Sequence, residues 1–127
     1  MKDVIRTESA PAPFQGAPYS QAIKANGLVF VSGQLALRPD HAEIIGDGIA
    51  EQTKQVFANL RAILEAAGSS LDRLVKTTVF LQSLDDFAGM NEVYKQHVGD
   101  SPPARSTVEI ARLPSGALVE IEAIALA

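Results

Sequence analysis

The 127-residue chain reads as one α+β domain: a single mixed β-sheet with two helices packed on one face, in the order β-β-α-β-α-β-β. Three observations predict it. Short β-branched runs come in pairs near both ends of the chain. Two stretches with apolar residues at helical spacing lie between those pairs. One long strand-like run separates the two stretches. Consecutive elements are usually neighbours in space, so such an order closes into one sheet with the helices on a shared face. The length fits one domain of ordinary size.

The elements follow in chain order. Residues 10–18 (APAPFQGAP) hold three prolines and a glycine and read as a stiff loop rather than a helix. Ile23–Ala25 and Leu28–Ser32 are short strands separated by Asn26-Gly27. Asn-Gly between two such runs is a strong hairpin signal, because a type I′ turn needs positive φ at both positions. Residues 38–48, with Pro39, Asp40, Gly46, Asp47 and Gly48, form a loop.

From Ile49 to Ala67 the residues at 49, 53, 56, 57, 60, 63, 64 and 67 share one helical face. Asp47 is the expected N-cap, and Gly68 suits the position just past the C-terminus. Leu74–Gln82 (LVKTTVFLQ) has the β-branched and aromatic content of a long strand. A second helix spans about Leu84 to His97, with Ser83 or Asp85 as cap. Phe87, Met90, Val93, Tyr94 and His97 lie on its apolar face. Gly99 to Pro103 stops it. Arg105–Ile110 and Leu118–Leu126 read as a closing strand pair joined through Leu113-Pro114-Ser115-Gly116.

Composition narrows the chemistry. There are no cysteines, which rules out disulfides, thiolate metal sites and a cysteine nucleophile, and fits a cytoplasmic home. Fifteen acidic against eleven basic residues give a net charge of −4. Such a chain gains little from displacing counterions around nucleic acid, so no nucleic-acid partner is expected. No apolar stretch approaches membrane-spanning length, and Met1 to Ser9 lacks the apolar core of a signal peptide, so no membrane partner is expected either. His41 and His97 are far apart in sequence, which argues against a metal site. A charge on His97 would suit its place at a helix end. No GxGxxG, Walker loop, HExxH or GxSxG motif is present, and no cofactor is indicated.

The polar residues of the closing strands admit two readings. Arg105, Thr107 and Glu109 share one face, while Glu120 and Glu122 share theirs with Leu118, Ile124 and Leu126. Either these charges line a solvated sheet face in weak surface pairs, or a second subunit covers that face and leaves a polar pocket at the seam. In the second case a partly buried Arg105 needs a planar anion, and a carboxylate would match it with two parallel bonds. Tyr19 is a loop phenol, Ser32 stands at a strand end, and Asn91 lies mid-helix beside the apolar face. Each has a plain structural role as well as a possible role in a pocket.

The runs GAPYSQA (16–22), FVSGQ (30–34), VKTTVFL (75–81), MNEVY (90–94), PPARSTVEIARLP (102–114) and VEIEAIA (119–125) together resemble the RidA family, also called YjgF/YER057c/UK114. Six runs in register over nearly the whole chain make the resemblance specific. It implies a chorismate-mutase-like fold and a homotrimer with clefts between subunits. It also implies hydrolytic deamination of enamine and imine acids, such as 2-aminoacrylate and 2-iminopropanoate, to 2-keto acids and ammonia without a cofactor. The alternative within the same family is a non-catalytic module that binds small keto or amino acids.

By position, Arg105 matches the family arginine that clamps the substrate carboxylate, and Glu120 the acid that orients or activates water. Tyr19, Ser32 and Asn91 match pocket residues, and the backbone at Thr107 matches a ligand contact. Thr107 stands where many members carry cysteine, so thiol chemistry is excluded there.

Overall fold

The computed structural model describes all 127 residues. Six strands and two α-helices form it: β1 (Asp3–Ile5), β2 (Ala22–Ala25), β3 (Leu28–Gln34), α1 (Ile49–Ala66), β4 (Leu74–Leu81), α2 (Phe87–Val98), β5 (Ala104–Glu109) and β6 (Val119–Leu126). The strands make one mixed sheet in the order β1-β2-β3-β6-β4-β5. Both helices pack on one of its faces, as the sequence pattern requires.

The β2–β3 hairpin forms as expected, with φ of 54° at Asn26 and 77° at Gly27. The short strand β1, pairing antiparallel with β2, was not expected. Only three residues long, it is set by a side chain rather than by its own pattern. Gln21 is buried and holds the segment that follows β1. Its Oε1 accepts from the Thr7 N–H, and its Nε2 donates to the carbonyls of Thr7, Ala10 and Pro11.

The closing strand pair expected from the sequence is corrected by the topology. β5 and β6 do not pair with each other. β5 runs parallel to β4, and β6 lies antiparallel between β3 and β4. A helix between β4 and β5 favours parallel pairing, since only a long crossover can return the chain in the same direction. The competition for the central position is decided by burial. Val119, Ile121, Ala123 and Ala125 of β6 are buried under the helices, whereas Ala104, Ser106, Val108 and Glu109 of β5 are exposed and suit an edge.

Helix boundaries shift in two places. α1 has Gly48 rather than Asp47 as its N-cap, with no side-chain cap bond. Residues 84–86 form a 3₁₀ turn ahead of α2, in which the Ser83 hydroxyl accepts from the Asp85 N–H at 3.1 Å. At the other end of α1, Gly68 has φ of 80° and the Ser69 N–H bonds the Leu64 carbonyl, the expected left-handed stop.

The core between α1, α2 and the sheet is built on Val56, Phe57, Leu60, Leu64, Val79 and Ile121, all fully buried. Two buried polar residues of α1 tie loops onto it. Asn59 donates to the Leu35 and Leu37 carbonyls at 3.1 and 2.8 Å. Gln52 donates to the Gly46 carbonyl and accepts from the Leu118 N–H.

His97 lies flat on Phe57, with ring centroids 4.6 Å apart. Burial, then the nearby Arg61 and Lys54 charges, holds its pKa below the ordinary 6.5. The ring therefore favours the neutral form rather than the helix-end cation its sequence position suggested. Because the unfolded chain binds the proton more readily, the stability His97 contributes is complete above about pH 6.5 and is lost as pH falls through the lower folded value. Unfolding measured from pH 7.5 to 5 should show this loss, and His97→Gln should flatten that part of the profile.

Candidate functional site

Two groups of polar side chains stand out, one on each face of the sheet. Along β5, alternation turns Arg105 and Thr107 toward the helices, in register with the buried Thr77 and Val79 of β4. α2 meets Arg105 with Phe87, Asn91 and Tyr94, which at spacings of four and three residues form one helical stripe. The guanidinium donates to the Asn91 Oδ1 at 2.8 Å. Its central carbon stands 4.7 Å from the Tyr94 ring centroid and 5.6 Å from that of Phe87. The Tyr94 hydroxyl is in turn hydrogen-bonded to the Thr77 hydroxyl at 2.6 Å.

Arg105 is half-buried, yet no carboxylate of the chain pairs with it. The two ion pairs are Asp40–His41 and Glu92–Lys95, both exposed. A guanidinium carries five N–H donors in a planar fork, and Asn91 engages one side of it. Two residues along the same strand face, the Thr107 Oγ1 is buried without a hydrogen-bond partner. Arrangements of this kind suit a small planar anion.

The second group lies on the open face. Glu120 stands in register with Phe80 of β4. On its other side, β3 has an irregularity between Val31 and Gln34 that spans Ser32 and Gly33. Gly33 carries no side chain where one would collide: a Cβ built there overlaps the Glu120 Oε2 and lies 2.9 Å from its Cδ. The Ser32 hydroxyl donates to the Ser20 carbonyl at 2.6 Å, and its N–H donates to the Gln21 carbonyl at 2.9 Å. Next in the chain, the half-exposed Tyr19 accepts the Phe14 N–H on its phenol oxygen at 2.5 Å. Arg6, Thr7, Tyr19 and Ser20 border a hollow of about 630 Å³. Burial, with the Glu122 charge as the smaller cause, pushes the Glu120 carboxyl above its ordinary value of 4.5.

Within one chain the structure thus joins Arg105 to Asn91, with Thr107 on the same face. It places Glu120 against Gly33, the neighbour of Ser32, on the opposite face, with Tyr19 in the adjoining loop. It does not bring Arg105 to Glu120, because the sheet stands between them. Sequence reasoning missed Phe87 and Tyr94 as functional neighbours and Gly33 as the seat of the carboxylate. The 87, 91, 94 spacing was the available signal, but two aromatic residues on an apolar stripe read first as core. No cluster of three or more metal-ligating side chains forms, and no helix is long and apolar enough to cross a membrane.

Comparison with known proteins adds a second line. The model of a family described as endoribonuclease L-PSP matches residues 7–127. A RutC family protein of Pyrococcus horikoshii is 54% identical over 125 residues, covering 98% of each chain. The 2-iminobutanoate/2-iminopropanoate deaminase of mouse is 43% identical, covering 99% of this chain and 92% of that one. The crystal structure of E. coli TdcF with bound serine superposes with a TM-score of 0.90 at 41% identity, covering 98% of both.

The raised Glu120 pKa carries a stability consequence. The folded chain holds that proton more tightly than the unfolded one, so the contribution of Glu120 is most favourable below about pH 4.5 and is lost as pH rises through the folded value. Glu120→Gln should therefore melt at a higher temperature than the parent at pH 8, and the two curves should converge near pH 4.

Proposed function

The chain belongs to the endoribonuclease L-PSP family, the RidA family its sequence resembles, and on that premise we propose that it hydrolyses small 2-imino acids to 2-keto acids and ammonia. The observation that carries the reading is Arg105: a half-buried guanidinium fixed by Asn91 and two rings, with no carboxylate of its own chain to neutralise it. A substrate carboxylate is the matching partner. The deaminase name of the mouse relative and the serine bound to TdcF, itself a small amino acid, support the same substrate class.

The reaction needs little beyond placement. The imine carbon is already electrophilic. Water adds its oxygen to that carbon, forming a C–O bond and a tetrahedral amino alcohol. One proton of the water passes to Glu120 and then to the nitrogen. The hydroxyl of that intermediate then gives up its proton, which reaches the nitrogen through Glu120; the C–N bond breaks, ammonia leaves, and the carbon–oxygen double bond of the keto acid forms. Holding the carboxylate on Arg105 fixes the carbon beside the water, which can lower the barrier by several kcal/mol. A carboxylate with a raised pKa is a better base near neutrality, and general base help contributes about 10²–10⁴ in rate. Tyr19, Ser32, Asn91 and the backbone of Thr107 would complete the pocket.

Arg105 and Glu120 lie on opposite faces of their own sheet, so one reaction centre needs two copies. We place it between subunits of a homotrimer, where the helix-side group of one chain meets the open-face group of the next. The open face supports this, because Phe30, Val108 and Leu126 leave 41%, 42% and 47% of their surfaces exposed there. Cover by a second copy would take these apolar side chains out of water. A cytoplasmic home, where pyridoxal-phosphate enzymes release such imines, belongs to the same reading. Cleavage of RNA, which the family description suggests, is not favoured by a chain of net charge −4 with scattered basic residues.

The test generates the imine with an amino-acid oxidase and follows its disappearance. The parent chain should exceed spontaneous hydrolysis, and Arg105→Ala should lose that acceleration while remaining a folded oligomer. Full acceleration by Arg105→Ala would contradict the anchor. A parent rate equal to the spontaneous one would favour a binding module. With Glu120 as the base, activity should fall as pH drops through a pKa above 4.5, and Glu120→Gln should lower kcat by about 10²–10⁴.

A further inference from the structure

Phe87, Asn91 and Tyr94 all reach Arg105, but they do so differently. Asn91 takes a guanidinium N–H, and Phe87 lies at the exposed start of α2. Tyr94 is the buried one, 5% exposed, and its ring is nearer the guanidinium than that of Phe87. Two further contacts fix this ring. Its hydroxyl is bonded to the Thr77 hydroxyl, on the β4 residue in register with Arg105. The ring packs in a T-shaped pair with Phe57 at 5.4 Å between centroids, with the planes 80° apart. The phenol therefore has its polar end satisfied and its orientation set by the core.

We infer that Tyr94 is a positioning residue: locked by Thr77 and Phe57, its ring face holds the Arg105 guanidinium in the plane that receives the substrate carboxylate. This rests on the reading of Arg105 as the carboxylate anchor. Arginine side chains have several rotatable bonds, and one hydrogen bond to Asn91 fixes a point but not a plane. The negative face of an aromatic ring supplies the plane without using a donor. The forked N–H groups thus stay free for the ligand. Tyr94 touches no reacting atom in this arrangement and acts only through Arg105.

Kinetics of the assembled protein test this. Tyr94→Leu should raise KM for 2-iminopropanoate by roughly 3- to 30-fold, the range of a cation–π contact, with a smaller effect on kcat. Tyr94→Phe keeps the ring face and should restore KM to within about threefold of the parent. Because Arg105→Ala is expected to lose turnover, the cycle is read on the Kd of the 2-keto acid product: in an Arg105→Ala background, Tyr94→Leu should add less than about a twofold loss of affinity, since its effect passes through the arginine. An equal loss in both backgrounds, or a failure of Tyr94→Phe to restore KM, would overturn the inference and assign Tyr94 a packing role alone.

A measurement on the parent protein guards against a leucine variant that fails to fold. The Arg105 Nε–H proton should resonate upfield of ordinary arginines through the ring current of Tyr94. An ordinary position would overturn the inference without any variant. The anchor itself fails separately: Arg105→Ala with parental KM sinks both readings, whereas a large loss in Arg105→Ala with none in Tyr94→Leu sinks only this one.

Discussion

Residue alternation along a sheet covered on one side assigns every candidate site residue on its strands to one of two environments. The pairing of β6 between β3 and β4 sets the assignment. With β6 central, Val119, Ile121 and Ala123 go under the helices, and Glu120 and Glu122 must face the other way. With β5 at the edge and parallel to β4, Arg105 turns under α2 in register with Thr77. A slip of one residue in β6 would place Glu120 in the apolar core, and one in β5 would turn Arg105 away from α2. The register that forms the core is therefore the register that builds the site.

The two charged groups meet opposite treatments in these environments. The Arg105 guanidinium lies against the faces of Tyr94 and Phe87, which favour a cation, and donates a hydrogen bond to Asn91. Glu120 loses solvent against the Gly33 backbone and gains no hydrogen bond in exchange, so its charged form is disfavoured. One group is thereby suited to holding an anion and the other to exchanging protons. Hydrolysis of an imino acid needs both. On the proposed mechanism, the separation of the groups within one chain makes assembly part of the chemistry.

Much of this architecture was legible in the sequence. Periodicity located both helices, and Asn26-Gly27 located the hairpin that sets the positions of β2 and β3. The strand order was not legible, because β5 and β6 follow one another across a turn and their patterns do not say which competes better for the central position. β1 was hidden because a distant glutamine, Gln21, organises the segment behind it. Within the site, the six family runs marked Arg105, Glu120, Tyr19, Ser32, Asn91 and Thr107. The chain alone joins only some of these, since the strand order that sets their faces and neighbours was not legible. Tyr94 was passed over because a buried aromatic residue on a helix stripe is ordinary core until a cation is found on its face.

In the proposed mechanism, Arg105 of one chain and Glu120 of another complete a single reaction centre. Mixing two inactive variants tests it most directly. Arg105→Ala and Glu120→Gln chains are unfolded together in equal amounts, refolded, and assayed for imine hydrolysis. In a closed ring of three, random assembly gives an intact pair of residues in about a quarter of the clefts. Activity should return to about that fraction of the parent's, while each variant refolded alone stays inactive. Mixed oligomers that form but show no activity would contradict the shared site and the mechanism built on it.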